Sequence, residues 1–214
     1  MSGFRHPGEY FSGKIAFETE RLYLRKIEAS DADDMYGYCS KEITSRYLLW
    51  EPHRSPSATR AIIDNIRRGY RNGSYFELAV VLKENGAMIG TCGLTTVDVL
   101  NCCAEIGYVL SPDYWGRGFA QEAAEMMINF AFCELGANRV EAKYIRGNES
   151  SRRVMEKCGM TYEGTLRGKM LIKGQYRDIG ICAILAERYF LKNRENKYRK
   201  FNQSTRLGWL FGQR

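Results

Sequence analysis

Two glycines separate a predicted strand from the longest predicted helix near the middle of the chain. The strand, Cys103 to Leu110, ends shortly before Gly116 and Gly118, and the helix runs from Phe119 to Leu135. Apolar residues recur every three or four positions through that helix, which is the period of an amphipathic α-helix, and Gly136 follows where a left-handed C-cap belongs. The fold must therefore accommodate a strand, a tight glycine turn and a long half-buried helix in succession.

This strand–turn–helix junction is also chemically distinctive. Glycines at 116 and 118 let the backbone point its N–H groups outward, and the helix start adds unpaired donors and the positive end of its dipole. Such a junction can bind phosphate without a lysine. It has neither the Lys-Ser/Thr pair of a P-loop nor the spacing of a dinucleotide fingerprint, and a glycine pair at this position is often only a tight connection.

The bulk properties favour one globular domain without a metal or disulfide framework. The chain has 214 residues, of which 44% are hydrophobic and 27% charged, enough for one sizeable core. No apolar run approaches the roughly 20 residues that cross a bilayer, so we expect a cytoplasmic protein that does not enter the membrane. The seven cysteines never occur as Cys-x-x-Cys and there are only two histidines, which predicts free thiols and no metal site.

The order of predicted elements indicates an α+β protein with three sections. Residues 1–16 are expected to be an N-terminal arm, 17–191 the domain and 192–214 a basic C-terminal tail. Within the domain, alternation and turn residues predict a mixed central sheet of about seven strands flanked by about four helices. Strands are predicted at Glu20 to Arg25, Tyr75 to Leu82, Ala87 to Thr96, Cys103 to Leu110, Arg139 to Ile145, Thr161 to Lys169 and Tyr176 to Leu185.

Helix-start and turn residues mark the remaining elements. Ser30 and the acidic residues after it predict the start of a first helix. Ser55 is a candidate N-cap, with Pro56 at the first turn, for a second helix that ends near Gly69 or Gly73. Shorter signals predict a hairpin turn at residues 85–86, a helix over 150–157 and a second turn at 173–174.

The tail concentrates the positive charge of the chain. Residues 192–214 contain seven Lys or Arg and one acid, out of a formal net charge of +7. Together with its aromatic residues, this composition suits contact with RNA, a ribosome or an acidic partner. The alternative is a solvated helix end whose aromatic residues pack on the domain or on a second subunit. The sequence is compatible with a dimer but does not determine the oligomeric state.

The glycine junction resembles the acetyl-CoA pyrophosphate loop of the GNAT acyltransferase superfamily. In that superfamily Arg/Gln-x-x-Gly-x-Gly/Ala opens the central helix, and here Trp115 stands where Arg or Gln is usual. The form Tyr-Trp-Gly-x-Gly-x-Ala is similar to that of the ribosomal-protein-alanine N-acetyltransferase branch. Four further segments resemble the same branch, and the resemblance covers about residues 18–190: Glu20 to Arg25, Trp50 to His53, Ala104 to Tyr108 and Asn148 to Met160.

The resemblance implies a GNAT fold whose two central strands splay apart to hold acetyl-CoA as co-substrate. The strand backbone would pair with pantetheine and direct an N–H at the thioester carbonyl, where it would stabilise an oxyanion. The implied cofactor-binding residues form three groups: Tyr108, Val109 and Leu110 on the strand; Trp115, Gly116, Arg117, Gly118, Phe119 and Ala120 in the loop; and Asn148, Ser151 and Arg153 on the far side.

Two residues are implied for proton transfer. Glu105 is the candidate base that takes a proton from the attacking amine, and the alternative is an ordinary strand glutamate paired with a cation. Met155 stands where many members have a tyrosine that acts as the general acid, so Ser151 is the candidate proton donor to the leaving thiolate. The alternative for Ser151 is that it only caps a helix. Trp50, His53 and Tyr176 are candidates for the acceptor cleft, although such residues are more often core or turn residues.

The expected function is therefore N-acetyl transfer from acetyl-CoA to a primary amine in a ternary complex. The branch suggests the N-terminal amine of a ribosomal or other protein. A small amine such as a polyamine, amino sugar or amino acid is the alternative acceptor. A third hypothesis is a non-catalytic module that senses acetyl-CoA or binds RNA, favoured by the departures at Trp115 and Met155.

Overall fold

The computed structural model describes residues 4–195, of which the side chains are described up to residue 191, and folds them around one eight-stranded sheet. The strand order across the sheet is β1-β2-β3-β4-β5-β6-β8-β7. The strands are β1 (Ala16–Glu18), β2 (Leu22–Arg25), β3 (Phe76–Leu82), β4 (Met88–Asp98), β5 (Cys103–Leu110), β6 (Arg139–Ile145), β7 (Thr161–Ile172) and β8 (Gln175–Leu185).

Seven α-helices lie along the described residues, and two short 3-10 turns lie at Ala29–Asp31 and Pro112–Tyr114. The helices are α1 (Gly8–Phe11), α2 (Ala32–Cys39), α3 (Glu42–Ser45), α4 (Pro56–Asn72), α5 (Phe119–Cys133), α6 (Glu149–Lys157) and α7 (Ala186–Glu195). This mixed α+β architecture agrees with the class expected from the sequence, with one strand more than the expected seven and three helices more than the expected four.

Neighbouring strands are antiparallel throughout the sheet except for β5 and β6, which run parallel. A parallel pair needs a crossover, and α5 supplies it between these two strands. The helix packs against β2, β4, β5 and β6. Small residues, Ala123 and Ala124, bring it close to the sheet, while Met127 and Phe130 are fully buried. The core of the molecule therefore lies between α5 and the middle of the sheet.

The local signals near α4 and the hairpin turns are confirmed. The Ser55 hydroxyl accepts a hydrogen bond from the N–H of Ala58, and Gly73 ends the helix in the left-handed region at φ 68°. The β3–β4 turn contains Gly86 at φ 74°, and the β7–β8 turn contains Gly174 at the same angle. Each is a position where glycine avoids the clash that a Cβ would create.

The segment expected to be an arm differs from the prediction, because residues 4–16 pack against the domain. Phe11 is fully buried and its ring meets those of Tyr70, Phe76 and Phe130 at centroid distances of 5.5–6.4 Å. Burial of an aromatic ring outweighs the irregular local pattern. The neighbouring strand β1 adds the eighth strand to the sheet. At the other end α7 extends across the expected boundary at 191/192, and the rest of the basic tail, 196–214, lies outside the described residues.

The first predicted helix starts differently from the expectation at Ser30. A 3-10 turn precedes α2, and Glu28 and Asp31 form a capping box around it. The Asp31 carboxylate also accepts two hydrogen bonds from Arg25, at 2.7 and 2.8 Å. Arg25 on β2 therefore determines that Asp31 takes part in the cap at the helix start. The spacing of residues in the sequence does not reveal this partner. Among the described residues, no helix is both long enough and apolar enough to span a bilayer.

Candidate active site

The two central strands, β5 and β6, separate from each other after a short paired stretch. Their register contains three pairs and ends with Glu105 opposite Glu141. Beyond that point β5 continues to Leu110 and β6 to Ile145, each still paired with its outer neighbour β4 or β8. The residues Tyr108 to Leu110 thus line one side of a gap in the sheet. We refer to this opening between the two strands as the cleft.

The glycine loop and the start of α5 lie at the end of β5. Gly116 has φ 74° and Gly118 has φ 84°, so both adopt the left-handed conformation. The N–H of Glu122 makes the first bond of the helix, to the Gly118 carbonyl at 3.1 Å. The preceding N–H groups at the helix start have no place in the intrahelical ladder and are available to an anion.

Trp115 and Arg117 have structural contacts inside this loop. The Trp115 indole N–H donates to the Leu110 carbonyl at 2.8 Å, which fixes the loop against the end of β5. The Arg117 guanidinium lies over the rings of Tyr114 and Phe119, at 5.5 and 5.1 Å from their centroids. The tryptophan that replaces the usual Arg or Gln is therefore a support for the backbone turn.

Arg21 contacts the glycine loop although it is 96 residues away from Arg117 in sequence, and the sequence alone does not identify it as a site residue. Its Nη1 donates to the Arg117 carbonyl at 3.0 Å, and its Nε donates to a Glu122 carboxylate oxygen at 2.7 Å. The same carboxylate accepts hydrogen bonds from the N–H of Arg21 and from the Thr19 hydroxyl, at 2.8 and 2.5 Å. Glu122 lies in the first turn of α5, where the helix dipole favours a negative charge. These contacts tie the loop to the segment before β2.

Across the cleft, Ser151 meets Tyr108. The Tyr108 hydroxyl donates to the Ser151 carbonyl at 2.9 Å and lies 3.0 Å from the Ser151 hydroxyl. Burial raises the pKa of Tyr108, so its hydroxyl stays protonated at neutral pH. Asn148 caps α6 by accepting from the N–H of Ser151 at 3.3 Å. The helix cap is thus Asn148, and the Ser151 hydroxyl does not cap the helix.

The other two residues of this helix named by the resemblance lie in different environments. Met155 is buried in the core, 2% exposed, on the side of α6 that faces the sheet. Arg153 is on the exposed surface of the same helix. The Met155 side chain therefore contributes to the core at the position where the resemblance places a tyrosine.

Glu105 lies where β5 and β6 part, in contact with a cation. One of its carboxylate oxygens is 2.6 Å from Lys143 Nζ, and the Lys143 amine is 3.5 Å from Glu141 as well. Arg139 continues the series by pairing with Glu141 and Glu163. Hydrogen bonding to Arg139 lowers the pKa of Glu163. Glu105 is therefore the innermost member of a row of alternating charges that ends at the cleft.

The residues suggested for the acceptor lie on two structures that meet beyond the cleft. Trp50 and His53 are on the α3–α4 loop with ring centroids 5.3 Å apart, and burial lowers the pKa of His53. Tyr176, on the β7–β8 hairpin, is 75% exposed. The turn of that hairpin reaches the loop through Lys173, whose Nζ donates to the Ser45 carbonyl at 2.9 Å. Trp50 and His53 thus lie side by side, and none of the contacts described joins Tyr176 to either of them.

These features together fit a nucleotide thioester. A Cβ placed at Gly116 would meet nothing within 4 Å, so the backbone at the loop is accessible. The loop N–H groups can hold a pyrophosphate, and the backbone of Tyr108 to Leu110 borders a gap in which an extended chain can lie. Acetyl-CoA bound there would supply an acetyl group activated as a thioester. Among residues 4–195 no group of three or more His, Cys, Asp or Glu side chains is placed to hold a metal ion.

Comparisons with known proteins agree with this geometry. Residues 21–161 match the acetyltransferase (GNAT) domain family. The chain is 36% identical over 171 residues to an uncharacterized N-acetyltransferase, p20, of Bacillus licheniformis, covering 80% of this chain and 96% of that protein. It is 26% identical to the [ribosomal protein uS5]-alanine N-acetyltransferase of Escherichia coli, covering 80% and 91%.

The fold comparison gives the same result. The structure of a GNAT-family acetyltransferase from Bacillus anthracis superposes with a TM-score of 0.72 at 27% identity, covering 81% of this chain and 99% of that one. The family match covers more than half of the chain and includes the loop, α5 and the whole of α6 with its cap. The chain therefore belongs to the GNAT family and is an acetyl-CoA-dependent N-acetyltransferase.

Proposed function

We propose that the protein acetylates the N-terminal amine of another protein, with a ribosomal protein as the first candidate. The observation that carries the proposed chemistry is the parting of β5 and β6 beside the start of α5. The choice of acceptor is supported by the relative in Escherichia coli whose substrate is the alanine of ribosomal protein uS5. An intracellular location in the cytoplasm belongs to the same proposal, because ribosomes are assembled there.

The reaction needs an uncharged amine, a stabilised oxyanion and a protonated thiol. In our proposal the backbone of Tyr108 to Leu110 directs an N–H at the thioester carbonyl, whose developing negative charge it stabilises. Glu105 accepts the proton that the amine loses, and its contact with Lys143 holds the carboxylate at the point where the two strands part. Loop residues 116–120 and Asn148, Ser151 and Arg153 on α6 and at its cap hold the co-substrate.

The Ser151 hydroxyl donates to the departing sulfur. Its contact with Tyr108 supports this role, because a hydroxyl that is held by a second protonated hydroxyl has a fixed orientation. A free thiol has a pKa near 8.5, so near neutral pH a thiolate can depart with only modest assistance from a proton donor. Direct attack requires the amine and acetyl-CoA to be bound at the same time.

An acceptor panel tests the proposal. The panel contains a tetrapeptide beginning with alanine, the same tetrapeptide with a blocked N-terminus, spermidine and glucosamine. Each is incubated with the protein and acetyl-CoA, and both CoA release and the mass of the acceptor are followed. We expect acetylation of the free tetrapeptide and none of the blocked one. Turnover of spermidine or glucosamine alone would overturn the protein-terminus assignment and leave a small-amine acetyltransferase.

A further inference from the structure

Glu77 is a recessed carboxylate on β3 that the chemistry described above does not use. Its carboxylate accepts a hydrogen bond from the Thr91 hydroxyl at 3.3 Å. Burial raises its pKa, and among the described residues no lysine or arginine acts on it to offset that burial. An ionised carboxylate that is buried without a cation is costly, and a cationic ligand would offset that cost.

The register of the sheet places this carboxylate close to the cleft. Glu77 is paired with Gly93 on β4, and its hydrogen-bond partner Thr91 is paired with Val109 on β5. Val109 belongs to the segment that borders the gap beside β6. Because neighbouring strands lie about 4.8 Å apart, the carboxylate over β4 is about one strand spacing from the edge of the cleft.

Two glycines bring the three strands unusually close at this level. A Cβ at Gly93 would lie 2.2 Å from the Glu77 Cα, and a Cβ at Gly90 would lie 2.1 Å from the Val109 carbonyl oxygen. Neither position tolerates a side chain, so β3, β4 and β5 pack backbone against backbone. The position of Glu77 relative to the cleft is therefore fixed by the sheet and does not depend on a flexible loop.

Alternation along the strands places Glu77, Thr91 and Val109 on the face opposite Tyr108 and α6. Phenol groups surround the carboxylate on that face. The Tyr70 hydroxyl donates to the Glu77 carbonyl at 2.5 Å, and the charge of Glu77 raises the pKa of Tyr75, after the larger effect of burial. The Tyr38 hydroxyl, also under the influence of this charge, is buried beside the Cys39 thiol.

We propose that Glu77 binds the cationic amine of the acceptor on the face of the sheet opposite Tyr108, one strand away from the backbone that holds the thioester. This assignment rests on the proposed function, because it requires an amine acceptor. The negative charge of the carboxylate selects a positively charged primary amine over a neutral alcohol. Glu77 thus selects the amine on entry, and the amine then leaves it for the strand fork, where it loses its proton to Glu105 and attacks the thioester.

Binding measured apart from turnover tests the assignment. An alanine-starting tetrapeptide and spermidine are each titrated calorimetrically into the protein saturated with CoA. We expect Glu77→Gln to weaken the binding of the accepted amine by about ten- to a hundredfold, the usual size of a lost charge-assisted hydrogen bond. The affinity for CoA should not change. The exposed Glu84 of the β3–β4 turn gives a matched control, Glu84→Gln, which should bind like the wild type.

A second variant separates charge from packing. Thr91→Val removes the hydroxyl and keeps the carboxylate, so we expect amine binding within about threefold of the wild type. Equal amine affinity in Glu77→Gln and wild type would overturn the assignment, as would the absence of binding of either amine to the wild type. Amine binding that depends on Glu77 without any CoA release would support the assignment and refute the proposed function.

Discussion

Arg21 and Glu122 are 101 residues apart in sequence and form the contact that fixes the start of α5. The guanidinium Nε lies 2.7 Å from one carboxylate oxygen, while the other oxygen accepts from the N–H of Arg21 itself. Through Nη1 the same guanidinium holds the carbonyl of Arg117. The turn that we propose as the pyrophosphate site is thus supported by a side chain outside it.

Replacing Arg21 with methionine should weaken acetyl-CoA binding. The loss of the bond to the Arg117 carbonyl frees the loop, and the KM for acetyl-CoA is expected to rise about tenfold, equivalent to about 1.4 kcal/mol. The kcat at saturation should change little. Steady-state kinetics measure both parameters. Arg71→Met, at the exposed end of α4, is the control and should leave the KM unchanged; an equal KM in the two variants would contradict the proposed support.

Gly118→Ala should reduce acetyl-CoA affinity more than its effect on stability explains. The residue has φ 84°, so alanine costs about 1–2 kcal/mol, and its Cβ would lie 3.3 Å from Arg21 Nη2. Gly86→Ala is matched in angle, at φ 74°, but meets nothing within 4 Å. We expect similar losses in the free energy of unfolding by denaturant titration, and weaker CoA binding in Gly118→Ala alone. Equal CoA binding in both would show that the loop backbone is not the site.

Ser151→Ala should lower kcat about tenfold, since it removes the proposed donor to the departing thiolate. Tyr108→Phe should show part of that loss, because the serine then loses the partner that orients it. The control is Ser150→Ala, which removes only a hydroxyl bonded to Asn148. A kcat for Ser151→Ala equal to that of the wild type would show that the thiolate departs without a proton from Ser151.

Glu105→Gln should lower kcat about a hundredfold near neutral pH, the usual scale for a lost general base. The deficit should shrink at higher pH, where more of the amine is already deprotonated in solution. Glu141→Gln makes a suitable comparison, because Glu141 faces Glu105 in the register and also pairs with Lys143. If both variants lost the same activity over the same pH range, Glu105 would have only the structural role of an ion-pair partner.

Glu77→Gln should stabilise the protein at neutral pH. Burial raises the folded-state pKa of Glu77 above its unfolded value. Its contribution to stability is therefore present below the unfolded pKa and is lost as the pH rises through the folded pKa. We expect a higher free energy of unfolding in the variant at pH 7, with a difference that diminishes toward pH 4.5, measured by denaturant titration. A less stable variant at pH 7 would indicate a structural carboxylate.

Features decided by neighbours in the chain were predictable from sequence. The Ser55 cap and the glycine turn at Gly118 follow from local chemistry, because a serine hydroxyl reaches an N–H three residues ahead and only glycine adopts positive φ freely. The assignment of the loop as a phosphate site rests on the same local chemistry together with a family resemblance, and it remains a prediction.

Features decided by distant partners were not predictable in this way. Strand alternation assigns Glu77 to a face but does not reveal that its neighbours are phenols without a cation. Phe11 looks like part of an arm until Phe76 and Phe130, far along the chain, receive its ring. The sequence alone allows Glu105 to be either a general base or a member of an ion pair. The contact with Lys143 shows the ion pair, and that pair is compatible with either role.

The bond from Lys173 to Ser45 couples two parts of the molecule that lie 128 residues apart in sequence. It joins the turn between β7 and β8 to the last residue of α3, and the same lysine amine lies 3.6 Å from Glu51 on the loop that carries Trp50 and His53. A displacement of the hairpin would therefore be transmitted to that loop, so the two sides suggested for the acceptor would move together.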